Sequence, residues 1–369
     1  MYLRYFAVLA TAIAVFLVGV VKPAYNFDII GYVATAHYNQ GLRGAALAER
    51  SYADVQAEIG EARFDTLLSG RYGEIVRHDP VALEQQLPFY TIRMGYVWAM
   101  EAAHRLGLDY ARATYVLSAF FQALAVLLLA GIAGRVGVSL WAVPGVAFLA
   151  NFGELAQLST PDAMTCCVSL AAIYCAARRS AWAYLFAAAL PLVRTDFLLF
   201  ALPLFLFLFV HDRRRLALVG ALTALALYIG NNALNGNYGY RVIFHFTLIG
   251  LDPYPATMAV SSDPADYLRA YLRMFATFAK SPHAAIYFVS AAAALLHWRR
   301  LGRAPLLPVG PGGGPLTGAA EFQLLFLVPA AFFVAHLLLF PIYMERYFAA
   351  VAALMLVWVI GLIGRLRPA

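Results

Sequence analysis

Long apolar runs separated by short basic turns constrain this chain more than any other feature. Each run is close to the roughly 20 residues that an α-helix needs to cross a hydrocarbon layer about 30 Å thick. Between every second pair of runs the turn is basic: Arg4, Arg135, Arg178-Arg179, Arg213-Arg214-Arg215, Arg299-Arg300-Arg303 and Arg365-Arg367. The intervening turns instead carry Asp28, Asp162, Arg194 with Asp196, and Glu345-Arg346. Basic residues collect on the cytoplasmic side of membrane helices, so the alternation predicts a polytopic all-α membrane protein and puts the acidic and mixed motifs on the outer face. Of the 369 residues, 63% are hydrophobic and 13% charged, whereas soluble domains carry about a quarter charged residues. The net charge of +7 comes from these helix-end arginines, and so does not point to nucleic acid.

About ten spans are expected, near 5–21, 112–134, 139–155, 162–177, 181–194, 196–211, 215–234, 283–298, 321–341 and 345–364. They form a single membrane domain over 1–369, with both termini cytoplasmic. The first run is read as an uncleaved span, although Arg4 followed by apolar residues to Val21 also fits a signal peptide. A first outer loop is expected over 22–110. Its Gly44–Ser69 stretch reads as helical from its Ala, Glu, Leu and Arg content. Its segment PFYTIRMGYVWAMEAAHRLG (88–107) holds Arg93, Glu101, His104 and Arg105, too many charges for a lipid-facing span. That segment is placed as a helix in the interface. A second outer loop covers 235–282 and turns amphipathic at DYLRAYLRMFATFAK. A flexible cytoplasmic loop is expected at 302–318, where PVGPGGGP lacks the preceding strand and following GK[ST] of a phosphate loop.

Charged residues inside apolar sequence are costly and so pair or act. Asp28 in PAYNFDIIGYVATA reads either as a catalytic carboxylate or as a cap for the helix that follows. Asp162 in LSTPDAMTCC sits in a helix first turn, where a carboxylate suits the dipole; a structural and a functional role are both open. Arg194 and Asp196 in PLVRTDFLLF are too close along a helix to face one another, so each is expected to find a partner elsewhere. Glu345-Arg346 lies between Tyr343 and Tyr347, which fit an aromatic belt. An arginine there opposes the inside bias, which favours phosphate binding. His78 and Gln86, and in the second loop Arg241, His245, Asp252 and Asp263, lack metal-ligand spacing. Cys166, Cys167 and Cys175 share one apolar run and read as packing residues.

In order and sidedness these features resemble the GT-C superfamily of integral membrane glycosyltransferases, which includes protein O-mannosyltransferases and lipid A aminoarabinose transferases. The features are a first span followed by an outer loop with an early acid (Asp28), interfacial helices, STPDAM at 159–164, an Arg-x-Asp turn at 194–196, and Glu345-Arg346-Tyr347 before the last span. The resemblance implies an inverting transferase that uses a polyprenyl-phosphate-linked sugar and a glycan, lipid or protein acceptor. It would work on the periplasmic face of a bacterial inner membrane. It implies Asp28 as the base and Asp162 as a second acid. Arg194, Arg346, Tyr343, Tyr347 and Arg241 would hold the donor, supported by Asp196, Glu345, His78 and Gln86. No cofactor is implied with certainty, and a divalent metal is not indicated. Two departures stand out: Ile29 and Ile30 follow Asp28 where relatives carry a second acid, and Leu87-Pro88 replaces a His-Pro-Pro pattern. Transport of a lipid-linked substrate and a non-catalytic assembly role are the competing readings. The lack of an internal repeat and the placement of the motifs at span ends weigh against transport.

Overall fold

The structure, a computed structural model, describes residues 2–300, 316 and 319–366. Apart from buried Leu316, the loop expected at 302–318 lies outside the described residues, as do Arg303, Arg367 and the side chains of Arg299, Arg300 and Arg365. Every regular element described is helical, and the one β feature is an isolated bridge between Ala24 and Leu158.

Among the described residues, five helices have the length and apolarity to cross a membrane: Tyr2–Val21, Tyr110–Arg135, Arg214–Leu234, Ala320–Leu339 and Glu345–Gly364. At 1.5 Å per residue, twenty residues reach roughly 30 Å. Five shorter apolar helices accompany them: Leu140–Leu149, Asp162–Ala177, Trp182–Val193, Thr195–His211 and His283–His297. The segment expected as one span at 139–155 is broken. Asn151 adopts the left-handed conformation at φ 58°, so Val143–Leu149 and Phe152–Gln157 are separate pieces. Side chains on the outer faces of these helices remain exposed and apolar, among them Leu9, Ile13 and Leu17 of the first helix and Leu218, Leu222 and Ile229 of Arg214–Leu234. Continuous apolar surface of this kind marks contact with something other than water.

The two charge classes occupy opposite helix ends. At one end the Arg135 guanidinium meets Glu321 at 2.7 Å and donates to the carbonyls of Ala177 and Leu316 at 3.1 and 2.9 Å. Arg179 donates to the carbonyl of His211 at 3.2 Å nearby. At the other end the chain leaves Tyr2–Val21, pairs Ala24 with Leu158, and enters Asp162–Ala177 at Asp162.

The segment expected as the first outer loop folds over that second end as a layer of short helices with its own core, built on Ile29, Tyr32, Val33, Leu47, Val55 and Phe64. The helical stretch expected over Gly44–Ser69 resolves into Gly44–Ile59 and Glu61–Leu67. They are split at Gly60, whose φ of 82° suits glycine and few other residues. Met94–Arg105 has 12 residues and carries Glu101, His104 and Arg105, charges that do not suit a lipid-facing span. It packs against Tyr110–Arg135 and Trp182–Val193. The second outer segment holds Tyr240–Leu248 and Pro264–Lys280. It is tied to the first by Gln86 Nε2 donating to the Pro253 carbonyl at 2.8 Å and Tyr254 Oη donating to Asp79 at 2.6 Å.

A candidate active-site cleft of opposed charges

Asp28 is the first residue of Asp28–Asn39, but its carboxylate makes no capping bond to the helix N-terminus. It accepts instead from Asn26 Nδ2 at 2.7 Å and Tyr90 Oη at 3.3 Å, and the Arg346 guanidinium stands 3.8 Å away. Gly31 is what lets Tyr90 approach: a Cβ at position 31 would lie 2.2 Å from the Tyr90 ring. A carboxylate offers about four lone-pair positions, so Asp28 keeps accepting capacity toward the cleft.

Asp162 likewise begins its helix without capping it, Pro161 being the N-cap residue. Its carboxylate accepts from Thr160 Oγ1 at 2.8 Å and from Arg194 Nη1, and Arg346 Nε lies 3.5 Å off. Arg194 departs from expectation. The helix Trp182–Val193 carries Pro191 and ends there; Arg194 is extended (φ −146°, ψ 124°), and Thr195–Phe197 forms a tight 3₁₀ turn. The helical spacing argument therefore does not apply. Arg194 folds back onto Asp196 in a bidentate pair, Nε at 3.0 Å and Nη2 at 2.8 Å. His336, from the last turn of Ala319–Leu339, closes the chain with Nε2 3.1 Å from Asp196. The result is a series His336–Asp196–Arg194–Asp162, buried except for a partly exposed Asp196, in which Arg194 is gripped by two carboxylates.

Arg346 is held less tightly. Its two carboxylate contacts are at ion-pair distance, and its buried Nε has no hydrogen-bond partner among the described residues. Tyr347, in the same 3₁₀ turn Glu345–Phe348, lays its ring 4.0 Å from the Arg194 guanidinium and 5.3 Å from that of Arg346. Arg93, between Pro88–Thr91 and Met94–Arg105, donates to the neutral phenol of Tyr32 at 2.8 Å. Among the described residues it has no carboxylate within ion-pair distance. Asn231 Nδ2 holds this turn by donating to the Ile92 carbonyl at 2.6 Å. Burial pushes the Tyr32 and Tyr90 phenols up from their usual range, and nearby Asp28 adds to the rise, so both remain protonated donors.

Asp28, Arg93, Thr160, Asp162, Arg194 and Arg346 thus line one narrow cleft, with Pro161 and Tyr347 completing it. Behind Asp162, Arg346 and Tyr347 the side chains of Thr165, Cys166, Phe197 and Ala350 close against them. The formal charges of Arg93, Arg194 and Arg346 balance those of Asp28, Asp162 and Asp196. Their distribution is uneven, because both close carboxylate contacts belong to Arg194. Two guanidiniums therefore keep donors available for an anion.

The other expected site residues are elsewhere. Glu345 points away from the cleft and accepts from Asn151 Nδ2 and, at 2.5 Å, from Ser281 Oγ. Tyr343 packs into an aromatic cluster with Phe278 and Phe348. His78 is exposed and faces Glu74 at 3.4 Å. Gln86 is buried between the outer segments, accepting from Tyr72 Oη at 2.8 Å while donating to Pro253. Arg241 is exposed on Tyr240–Leu248 and is not among the cleft-lining residues. Sequence reasoning missed Arg93, Tyr90 and His336 as site residues. The argument that flagged Arg346, a cation on the wrong side of the charge bias, applies equally to Arg93. A lone polar residue within an apolar span was the available sign for His336. No group of three or more His, Cys, Asp or Glu among the described residues is arranged to hold a metal ion. Comparisons with protein-family models, with curated proteins and with solved structures found no match.

Proposed function

We propose that this chain is a membrane glycosyltransferase of the GT-C type that moves a sugar from a polyprenyl phosphate to an acceptor hydroxyl outside the cytoplasm. The reading rests on one observation: Asp28, Arg93, Asp162, Arg194 and Arg346, from separate parts of the sequence, line a single cleft. In the proposed topology the ten apolar segments cross the inner membrane, with the broken 140–157 segment crossing as a pair. Both termini and the basic turns are cytoplasmic. The 12 residues of Trp182–Val193 span only about 18 Å, so Arg194 is sunk below the outer boundary, at the depth of a lipid-linked phosphate.

In the reaction the acceptor oxygen attacks the anomeric carbon while the bond from that carbon to the phosphate oxygen breaks. The bonding pair leaves on the phosphate, and Asp28 takes the acceptor proton. Arg93 and Arg346 have the free donors to receive the charge that develops on the departing oxygens. Arg194 acts through Asp162, which it fixes beside Arg346.

The test is thermal stability of the purified protein with polyprenyl phosphate against neutral polyprenol, alongside turnover of Asp28→Asn. A ligand at a hundred times its Kd raises stability by about 2.7 kcal/mol. The expected results are a phosphate-dependent rise and an Asp28→Asn variant that keeps this rise while losing 10²–10⁴-fold in transfer, as when a general base is removed. No rise in folded protein would sink the donor site, and undiminished turnover in Asp28→Asn would sink the base.

A further inference from the structure

The amphipathic segment of the second outer loop is not used by the cleft. It forms the helix Pro264–Lys280, and three stripes run along it. Ala270, Met274 and Phe278 turn toward the body of the protein: Ala270 and Met274 are buried, and Phe278 packs its ring 5.0 Å from that of Tyr343. Leu268, Leu272 and Phe275 form a second apolar stripe that stays largely exposed, at 61%, 58% and 61%. Arg269, Arg273 and Lys280 form a third, about 100° further around the helix, and all three are exposed. Asp266 pairs with Arg269, which leaves Arg273 and Lys280 as the basic groups with no ion pair among the described residues.

One hydrogen bond from this helix, and one from the neighbouring Tyr240–Leu248, tie the second loop to the bundle. Tyr271 Oη donates to the carbonyl of Leu338 at 2.6 Å, and Tyr240 Oη donates to that of Leu339. Both acceptors are at the end of the long apolar helix Ala320–Leu339, and both leucine side chains are exposed, at 64% and 51%. The helix that carries the exposed apolar stripe is therefore docked at the end of a long apolar helix whose leucines are also exposed.

We infer that Pro264–Lys280 is an in-plane helix seated in the outer leaflet of the bilayer. Leu268, Leu272 and Phe275 enter the acyl region, and Arg273 and Lys280 engage the phosphates of anionic phospholipids. The division into a body-facing, an apolar and a basic stripe is what a helix needs when it has protein beside it, lipid below and headgroups above. Its final residue leads to Ser281, which donates to Glu345, the neighbour of Arg346. Seating the helix thereby fixes one wall of the cleft relative to the lipid surface. The inference rests on the membrane-spanning reading but is independent of the chemistry.

The test uses the full chain, with Cys166, Cys167 and Cys175 replaced by alanine, reconstituted in vesicles of phosphatidylcholine with or without phosphatidylglycerol. A nitroxide is placed at Leu272→Cys, Thr277→Cys or Leu222→Cys, and its collisions with oxygen and with a water-soluble nickel chelate are measured. Leu272 is expected to favour oxygen several-fold and Thr277 to favour nickel, with Leu222 reporting lipid as the spanning-helix control. Phosphatidylglycerol is expected to deepen the label at 272, and Arg273→Gln with Lys280→Gln is expected to erase that difference. A lipid signal at 222 with a nickel-accessible label at 272 overturns this inference alone. Nickel access at both positions overturns the spanning reading beneath it. An equal depth at 272 in both lipids overturns the anionic preference.

Discussion

At the scale of single residues, three arginines of the same type have different jobs because their partners differ. Arg194 is closed by Asp162 and Asp196, so its removal strands two carboxylates, one of them with a side chain only 2% exposed. Breaking a buried pair from one side costs about 3–5 kcal/mol. Arg194→Ala is expected to lose that much stability in denaturant titrations of detergent-solubilised protein, and Arg194→Lys to recover only part because an ammonium cannot make the bidentate contact. Arg93 bonds to a neutral phenol and has donors to spare. Arg93→Gln should leave stability nearly unchanged yet weaken polyprenyl phosphate binding about 10–100-fold, the worth of one charged hydrogen bond. Binding of polyprenol in a parallel titration should not change. Equal loss for both ligands would reassign Arg93 to a structural role. The sequence singled out Asp28, Asp162, Arg194 and Arg346 together with Arg241, Tyr343 and Glu345, and the structure brings the first four to one cleft and not the others. The sequence could not rank the arginines, since that ranking depends on carboxylates 32 and 150 or more positions away.

At the scale of elements, the cleft is made by breaks in helices. The helix ending at Val193 stops before the extended Arg194, and the next begins with a tight turn, so the Arg194 side chain curls back instead of pointing along a helix face. The left-handed Asn151 divides its segment in the same way and supplies an amide to Glu345. Pro191 lies just before the first break, and Asn151, a residue type that tolerates the left-handed region, is itself the local sign of the second. The approach of two elements at Gly31 is equally local. A methyl group there collides with the Tyr90 ring, and misplacing a reacting group by an ångström can cost about 10²-fold. Gly31→Ala is expected to lower turnover ten- to a hundredfold with polyprenyl phosphate binding largely kept, whereas Tyr90→Phe should cost only a few-fold. Wild-type turnover in Gly31→Ala would show that the Tyr90 contact does not position Asp28.

At the scale of the whole molecule, one end of the helices gathers Arg135, Glu321 and Arg179, and the other gathers the cleft and both outer segments. Single cysteines should report this polarity in intact cells. A membrane-impermeant thiol reagent is expected to modify Ser69→Cys and Ser262→Cys, which lie in the outer segments, and to miss Ser139→Cys, which follows Arg135. All three positions are exposed, so access is decided by sidedness. Modification at 139 without modification at 69 and 262 would invert the topology.

The sequence by itself determined the helical class, the placement of the apolar segments and the grouping of the acids with Arg194 and Arg346, because hydrophobic length and charge bias are local quantities that need no folded partner. Tertiary structure alone decided that Arg194 is spent on Asp162 and Asp196, that Glu345 and Tyr343 turn away, and that Arg93 and Tyr90 join the cleft. Those outcomes depend on which side chains meet after the chain bends at Asn151 and Arg194. A charge's role follows from the counter-charges within a few ångströms of it in space, and spacing along the chain carries little of that information.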